Sequence, residues 1–236
     1  MTIKEIQNPN SVKLKATKFV CDENMKDIPE PYPAKHSFLV FSGSSRSGKS
    51  SLITSLLTNS KMYKKCFHSV IVVMPIHSFL SLAHNPFLCL DDNELYDDLE
   101  FETLETIYHK IQSNRDEDLD TLLYIDDMMS DLKNRNISKL LSLIVNNRRH
   151  LRCSIWIASQ VYNAIPLVLR KSINYLILFK PKNKKEIKSV QEEMTTLDKD
   201  QFNEVLKYVF NEKYNYLIID RDLDKLYKMF NEIVVV

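Results

Sequence analysis

Short, mostly apolar runs alternate along this chain with stretches in which apolar residues recur at helical spacing. The runs are Ser37-Phe38-Leu39-Val40-Phe41, Phe67-His68-Ser69-Val70-Ile71-Val72-Val73-Met74, Leu122-Leu123-Tyr124-Ile125, Ser154-Ile155-Trp156-Ile157-Ala158, Tyr175-Leu176-Ile177-Leu178-Phe179 and Tyr216-Leu217-Ile218-Ile219. A strand half in water would alternate apolar with polar. Continuous runs of this length predict strands covered on both faces, as in a parallel sheet. Leu104, Ile107, Tyr108 and Ile111 stand at i, i+3, i+4 and i+7, and Ile137, Leu140, Leu141 and Ile144 repeat that spacing. Two further amphipathic helices are predicted, one on Ile187, Val190, Met194 and Leu197, the other on Phe202, Val205, Leu206 and Val209. Residues 167–172 read as a short helix. Strands alternating with helices predict an α/β fold, a mainly parallel twisted sheet with helices on both faces.

Elsewhere the pattern is weaker. Residues 76–101 show no period and read as a loop, acidic from Asp91 onward. Residues 1–34 carry Pro9, Pro29, Pro31 and Pro33 and read as an irregular N-terminal arm with one strand over 12–20. The expected organisation is that arm followed by one domain over 35–236. Val234, Val235 and Val236 fit neither helix nor strand clearly.

The first apolar run leads into Gly43-Ser44-Ser45-Arg46-Ser47-Gly48-Lys49-Ser50, which fits G-x-x-x-x-G-K-[ST], and then onto Ser51-Leu52-Ile53-Thr54, the start of a helix. The whole chain has two glycines, and both are here. Glycine suits a loop that turns with φ > 0 and lets backbone N–H groups close on a phosphate chain. The expected ligand is a nucleoside triphosphate, lined by Gly43, Ser44, Ser45, Arg46, Ser47, Gly48, Lys49, Ser50 and Ser51. Lys49 would reach the β- and γ-phosphates and the Ser50 hydroxyl would hold Mg²⁺. The N–H groups of 47–50 would face the phosphates from a helix N-terminus. Arg46 could touch phosphate or face water, and water is the favoured reading.

Asp126-Asp127 ends an apolar strand, as in a Walker B motif, where the first carboxylate holds Mg²⁺. Asp127 could polarise an attacking water, or could cap the next segment; Asp instead of Glu shortens its reach by one methylene. Gln160 ends the next buried strand, at the edge of a parallel sheet where ligands bind, and is a candidate γ-phosphate or water sensor. Arg148 and Arg149 close the helix before that strand. They could complement the helix C-terminus, or act as a finger reaching a neighbour's nucleotide. Continuing the helical stripe buries Arg148 and swings Arg149 outward, so Arg149 is the better finger.

GSSRSGKS, LLYIDDMM and NNRRHLRCSIWIASQ, in this order and spacing, resemble the poxvirus-type genome-packaging ATPases of nucleocytoplasmic large DNA viruses, within the HerA–FtsK superfamily. The similarity covers roughly residues 35–180. It implies a RecA-like core whose sensor strand lies between the Walker A and Walker B strands. It also implies ATP hydrolysis by a ring-shaped homo-oligomer that drives double-stranded DNA into a preformed capsid, with capsid, portal or inner-membrane assembly components as further partners. A place in the host cytoplasm, at the viral factory or on the virion, goes with it. The family pattern puts its arginine eleven residues before the strand-end glutamine, at Arg149. It favours Gly where this chain has Arg152, so the turn there is an expected point of difference.

Charge sharpens this. The formal net charge is +1, yet residues 91–131 hold 2 Lys+Arg against 15 Asp+Glu and residues 132–190 hold 13 against 1. Such contrast suggests one acidic and one basic surface, able to meet around a ring or line a DNA channel. Lys180, Lys182, Lys184, Lys185 and Lys188 are DNA-contact candidates by charge alone. Cys21, Cys66, Cys89 and Cys153 lack C-x-x-C spacing and read as buried reduced thiols. No apolar run approaches the roughly 20 residues of a membrane span, and no signal sequence opens the chain, so a soluble intracellular protein is expected. With no glycine after Gly48, a D-x-x-G GTPase switch, an ABC signature and a G-x-S-x-G hydrolase elbow are excluded. Asn183-Lys184-Lys185-Glu186 departs from the guanine-reading N-K-x-D at its last position. Two alternatives stay open: a P-loop kinase acting on a nucleoside or small molecule, and a nucleotide-gated assembly subunit with little turnover.

Overall fold

In the computed structural model, which describes Ile28 and residues 30–82 and 85–235, the six apolar runs become strands of one nine-stranded sheet. In chain order the strands are β1 (Phe38–Ser42), β2 (Ser69–Val73), β3 (Leu95–Tyr96), β4 (Thr121–Asp126), β5 (Cys153–Ser159), β6 (Tyr175–Phe179), β7 (Tyr216–Asp220), β8 (Lys225–Lys228) and β9 (Asn231–Ile233). Their spatial order is β3-β2-β4-β5-β1-β6-β7-β8-β9. The ladder is parallel from β3 to β6 and antiparallel from β6 to β9. β5 lies between β1 and β4, pairing Val40 with Ile157 on one side and Ile125 with Ile157 on the other.

The helices are α1 (Lys49–Thr58), α2 (Ile76–Leu80), α3 (Phe101–Asp116), α4 (Arg135–Asn146), α5 (Leu167–Arg170), α6 (Lys184–Met194) and α7 (Lys199–Val209). Alternate residues of β1 face opposite layers, as strand geometry requires. Phe38 and Val40 meet the apolar faces of α3 through α7, while Leu39 and Phe41 meet Ile53 and Leu56 of α1 together with Tyr63, Phe87 and Trp156. Each amphipathic stripe lies against the sheet as its spacing predicts: Leu104, Ile107 and Ile111 from α3, and Ile137, Leu141 and Ile144 from α4, are buried. Among the described residues no helix is long and apolar enough to cross a membrane.

Several elements differ from the sequence expectation. The aperiodic stretch 76–101 contains α2, which buries no residue fully, and the two-residue β3, both too short to leave a period. Beyond β7 the chain adds a hairpin, β8 and β9, instead of ending in a single strand. Lys225-Leu226-Tyr227-Lys228 buries its two middle residues and leaves its lysines half-exposed. Leu197 lies past the end of α6, in the segment capped into α7 by the Asp198–Gln201 capping box. Cys66 and Cys153 are buried thiols, but Cys89 is exposed, in the loop after Phe87 where Leu88 also faces water. The strand expected over 12–20 and Cys21 lie outside the described residues.

At the edge of the sheet where the parallel strands begin, Asp120 gathers the segments that lead into four of them. Its carboxylate accepts from Lys35 Nζ at 2.6 Å, His36 Nε2 at 3.0 Å and Arg152 Nε at 3.2 Å. Its backbone N–H donates to His68 Nδ1 at 3.0 Å. Burial alone would raise the Asp120 pKa, but the hydrogen bonds from His36 and Lys35 and the charges of Lys35 and Arg152 outweigh it and hold the carboxyl well below its ordinary range.

Candidate functional site

The opposite edge, where the parallel strands end, collects the chemistry. β1 ends at Ser42, and the chain turns through 43–48 into α1. Gly48, at φ 107°, occupies the N-cap position of α1 in a left-handed conformation that glycine takes without strain. Gly43 is required for space. A β-carbon there would lie 2.5 Å from Phe179 Cβ and 3.0 Å from Ser47 Oγ. Two glycines in 236 residues are thus both accounted for, one by its backbone angle and one by a close approach.

β5 organises what faces this loop. Its last carbonyls bind the neighbours on either side: Ser159 O accepts from Gly43 N and Ala158 O from Asp127 N, each at 3.1 Å. Gln160, the next residue, is thereby held between the P-loop and the Asp pair, and its Nε2 donates to Asp127 Oδ2 at 2.7 Å. Asp127 sits at φ 56° and is exposed, while Asp126 is half-buried. The helix that follows is capped by Asn134, so Asp127 is not its cap. Residues 45–51, Ser78, Asp126, Asp127 and Gln160 enclose a cavity of about 240 Å³.

The electrostatics suit a polyanion with a cation. Burial pushes the Asp126 pKa up to about 6; a hydrogen bond from Tyr124 opposes this, Asp127 beside it adds to the rise, and Lys49 lowers it. Burial also lowers the Lys49 pKa, against the pull of Asp126 and Asp127. The Lys49 ammonium donates to the carbonyl oxygens of Gly43 and Ser44, so it is folded over its own loop. Ser47 Oγ is buried without a hydrogen-bond partner, close against Gly43 inside the loop. These features fit a nucleoside triphosphate. Ser50 and Asp126 would supply the few protein oxygens that Mg²⁺ takes alongside phosphates and water.

Most of the residues predicted from sequence converge: 43–51, Asp126, Asp127 and Gln160 share this edge. Arg46 is exposed at φ 61° and lines the rim of the same cavity. Arg148 and Arg149 do not converge. They precede β5, at the edge where it begins, so the seven-residue strand, about 20 Å at 3.3 Å per residue, separates them from Gln160. Arg148 is half-buried, donating to Val145 O at 2.9 Å, and Arg149 is exposed. Arg152, where the family pattern has Gly, adopts φ 49°. The turn keeps the left-handed conformation that glycine favours, and the arginine side chain binds Asp120 and Asp118 instead.

One site-supporting residue escaped the sequence reading. Glu186, on α6, is 4% exposed, and its Oε1 accepts from Ser42 Oγ at 3.0 Å and from Tyr162 N at 2.7 Å. One carboxylate oxygen therefore joins the residue before the P-loop to the segment after Gln160. The signal was its solitude: it is the single acid among the 13 Lys and Arg of residues 132–190.

The poxvirus A32 protein family matches residues 33–226 of the chain. The chain belongs to that family. No curated protein sequence matches it. Among solved structures this family member is similar to the DNA-packaging ATPase B204 of Sulfolobus Turreted Icosahedral Virus, with a TM-score of 0.64 at 18% identity over 84% of this chain and 98% of the other. B204 of Sulfolobus turreted icosahedral virus 2, in complex with AMPPCP, matches at 0.60 and 17% over 84% and 99%. The cytoplasmic domain of the type VII secretion ATPase EccC from Thermomonospora curvata matches at 0.58 and 14%, over 88% of this chain and 27% of that one. The family member thus has the mainly parallel P-loop ATPase fold, with β5 between the strands of the P-loop and of the Asp pair.

Proposed function

We propose that this chain is an ATP-hydrolysing motor that moves viral double-stranded DNA into preformed capsids during virion assembly. Lys49 binds the β- and γ-phosphates, Ser50 and Asp126 hold Mg²⁺, and Asp127 accepts the proton of the attacking water while Gln160 fixes that carboxylate and senses the γ-phosphate. The observation that carries the reading is the 2.7 Å bond from Gln160 to Asp127 facing the P-loop. A kinase needs its acceptor activated there, whereas a paired carboxylate and amide suit a water. B204, which shares this fold, is a DNA-packaging ATPase.

Arg149 acts on the nucleotide of an adjacent subunit, because about 20 Å of strand keeps it from its own. A ring of identical subunits follows, with domain 35–236 as its motor unit, onto which Tyr32 packs through Tyr63 and Phe230. Lys180, Lys182, Lys184, Lys185 and Lys188 leave β6 on the nucleotide edge, all exposed, and meet DNA phosphates. The protein works in the host cytoplasm, docked on capsid or inner-membrane assembly components.

The test is ATPase activity with and without double-stranded DNA. Wild-type protein releases phosphate faster with DNA, and Lys49→Ala abolishes release. Arg149→Ala and Lys49→Ala subunits, each inactive alone, partly recover turnover when mixed. Activity surviving Lys49→Ala sinks the site assignment; no recovery at any ratio sinks the trans role of Arg149.

A further inference from the structure

Asp126, Asp127 and Gln160 stand at the ends of β4 and β5, on one side of β1. A triphosphate whose terminal phosphate meets them and whose chain crosses the P-loop must project its base to the other side, toward β6 and β7. Because β7 runs antiparallel to β6, with Phe179 paired to Tyr216, the loop leading into β7 lies at the nucleotide edge. That loop presents Tyr214. The residue is 56% exposed, and its Cδ1 lies 3.7 Å from where a β-carbon on Gly48 would stand. Lys213 Nζ sits over the ring, 4.7 Å from its centroid. The loop is pinned from inside, as buried Asn215 donates from Nδ2 to Val209 O at 3.0 Å and Asn211 Oδ1 at 3.2 Å. Tyr214 itself is held at φ 70°, a strained backbone for a bulky residue, and the strain presents an aromatic ring to solvent where a polar side chain would be expected.

We propose that Tyr214 is the platform on which the nucleobase stacks, with Lys213 beside it. This rests on the nucleotide-binding reading of 43–51 and adds the base subsite to it. Every base has a π-face, so stacking recognises the base without reading its edge. The site therefore takes nucleoside triphosphates with little discrimination among bases, purines above pyrimidines through their larger ring area.

Affinities of ATP, GTP, CTP and inorganic tripolyphosphate for the full chain, measured by calorimetry, test this. Tyr214→Ala raises the Kd for ATP about 5- to 150-fold and leaves that of tripolyphosphate unchanged, while Tyr214→Phe keeps wild-type affinity. Tyr214→Asn, a residue that tolerates positive φ, removes the ring without added strain and gives the same loss as Ala. ATP affinity unchanged in both variants overturns the platform, as does an equal loss for ATP and tripolyphosphate. A wild-type preference for ATP over GTP of 100-fold or more overturns the stacking mode. Wild-type protein that binds neither ATP nor tripolyphosphate overturns the nucleotide reading itself and the platform with it.

Discussion

Removing the Asp120 carboxylate gives a stability effect far from the nucleotide. Asp120→Ala leaves Lys35, whose side chain is 6% exposed, and the buried His36 ring without their acceptor, and frees Arg152 from one of its two carboxylates. Breaking a buried pair by deleting one partner costs about 3–5 kcal/mol, most of it the uncompensated charge that stays behind. For a chain of this size each kcal/mol lowers Tm by about 2–4 °C, so the melting midpoint falls by roughly 6–20 °C. Urea unfolding of wild type and variant, followed by circular dichroism, gives the difference directly. The pH dependence has a fixed sign. The folded-state pKa lies below the ordinary 3.8, so the contribution is complete above about pH 4 and is lost as pH falls below that value. Wild type and variant therefore converge in acid. A loss under 1 kcal/mol at pH 7, or a gap that widens toward pH 3, refutes the reasoning.

Gly43→Ala drives a β-carbon to 2.5 Å from Phe179 Cβ, an atom tied to backbone that cannot swing away. Overpacking of that kind costs about 1–3 kcal/mol, and equilibrium ATP binding should weaken about tenfold or more as the loop shifts. Gln160→Ala deprives Asp127 of its donor; kcat should fall roughly 10²-fold with the ATP Kd within about threefold, as single-turnover kinetics and binding titration would separate. Glu186→Ala leaves the Ser42 hydroxyl and the buried Tyr162 N–H unpaired, costing about 1–3 kcal/mol in urea unfolding. Glu186→Gln keeps an oxygen for both and should unfold close to wild type.

The fold was legible because strands covered on both faces must be apolar throughout, and the helices between them carry one apolar stripe each. β8 and β9 at the sheet edge lack that constraint, and so did not stand out. The P-loop, Asp126, Asp127 and Gln160 were legible because each sits at a strand end, and in a parallel sheet all strand ends share one edge. Glu186 and Tyr214 come from elements entering that edge from elsewhere in the chain, so proximity to the site depends on β6 and β7 pairing, which residue order does not reveal. Arg152 was expected to mark a departure from the family turn. Its positive φ is the conformation that glycine favours, while the side chain, unlike a glycine, takes on an ion pair.

Every residue of β5 is buried, and ladders of hydrogen bonds flank it on both sides. A strand so enclosed behaves as a pushrod and not as a hinge. Ala158 and Ser159, which hold Asp127 and Gly43, and Cys153, which follows the arginine turn, are thus the two ends of one rigid element. The stiffness of that rod is set by core packing around Ile155, Trp156 and Ile157. Small volume changes at those positions therefore loosen both ends of the strand together, the P-loop end and the arginine end.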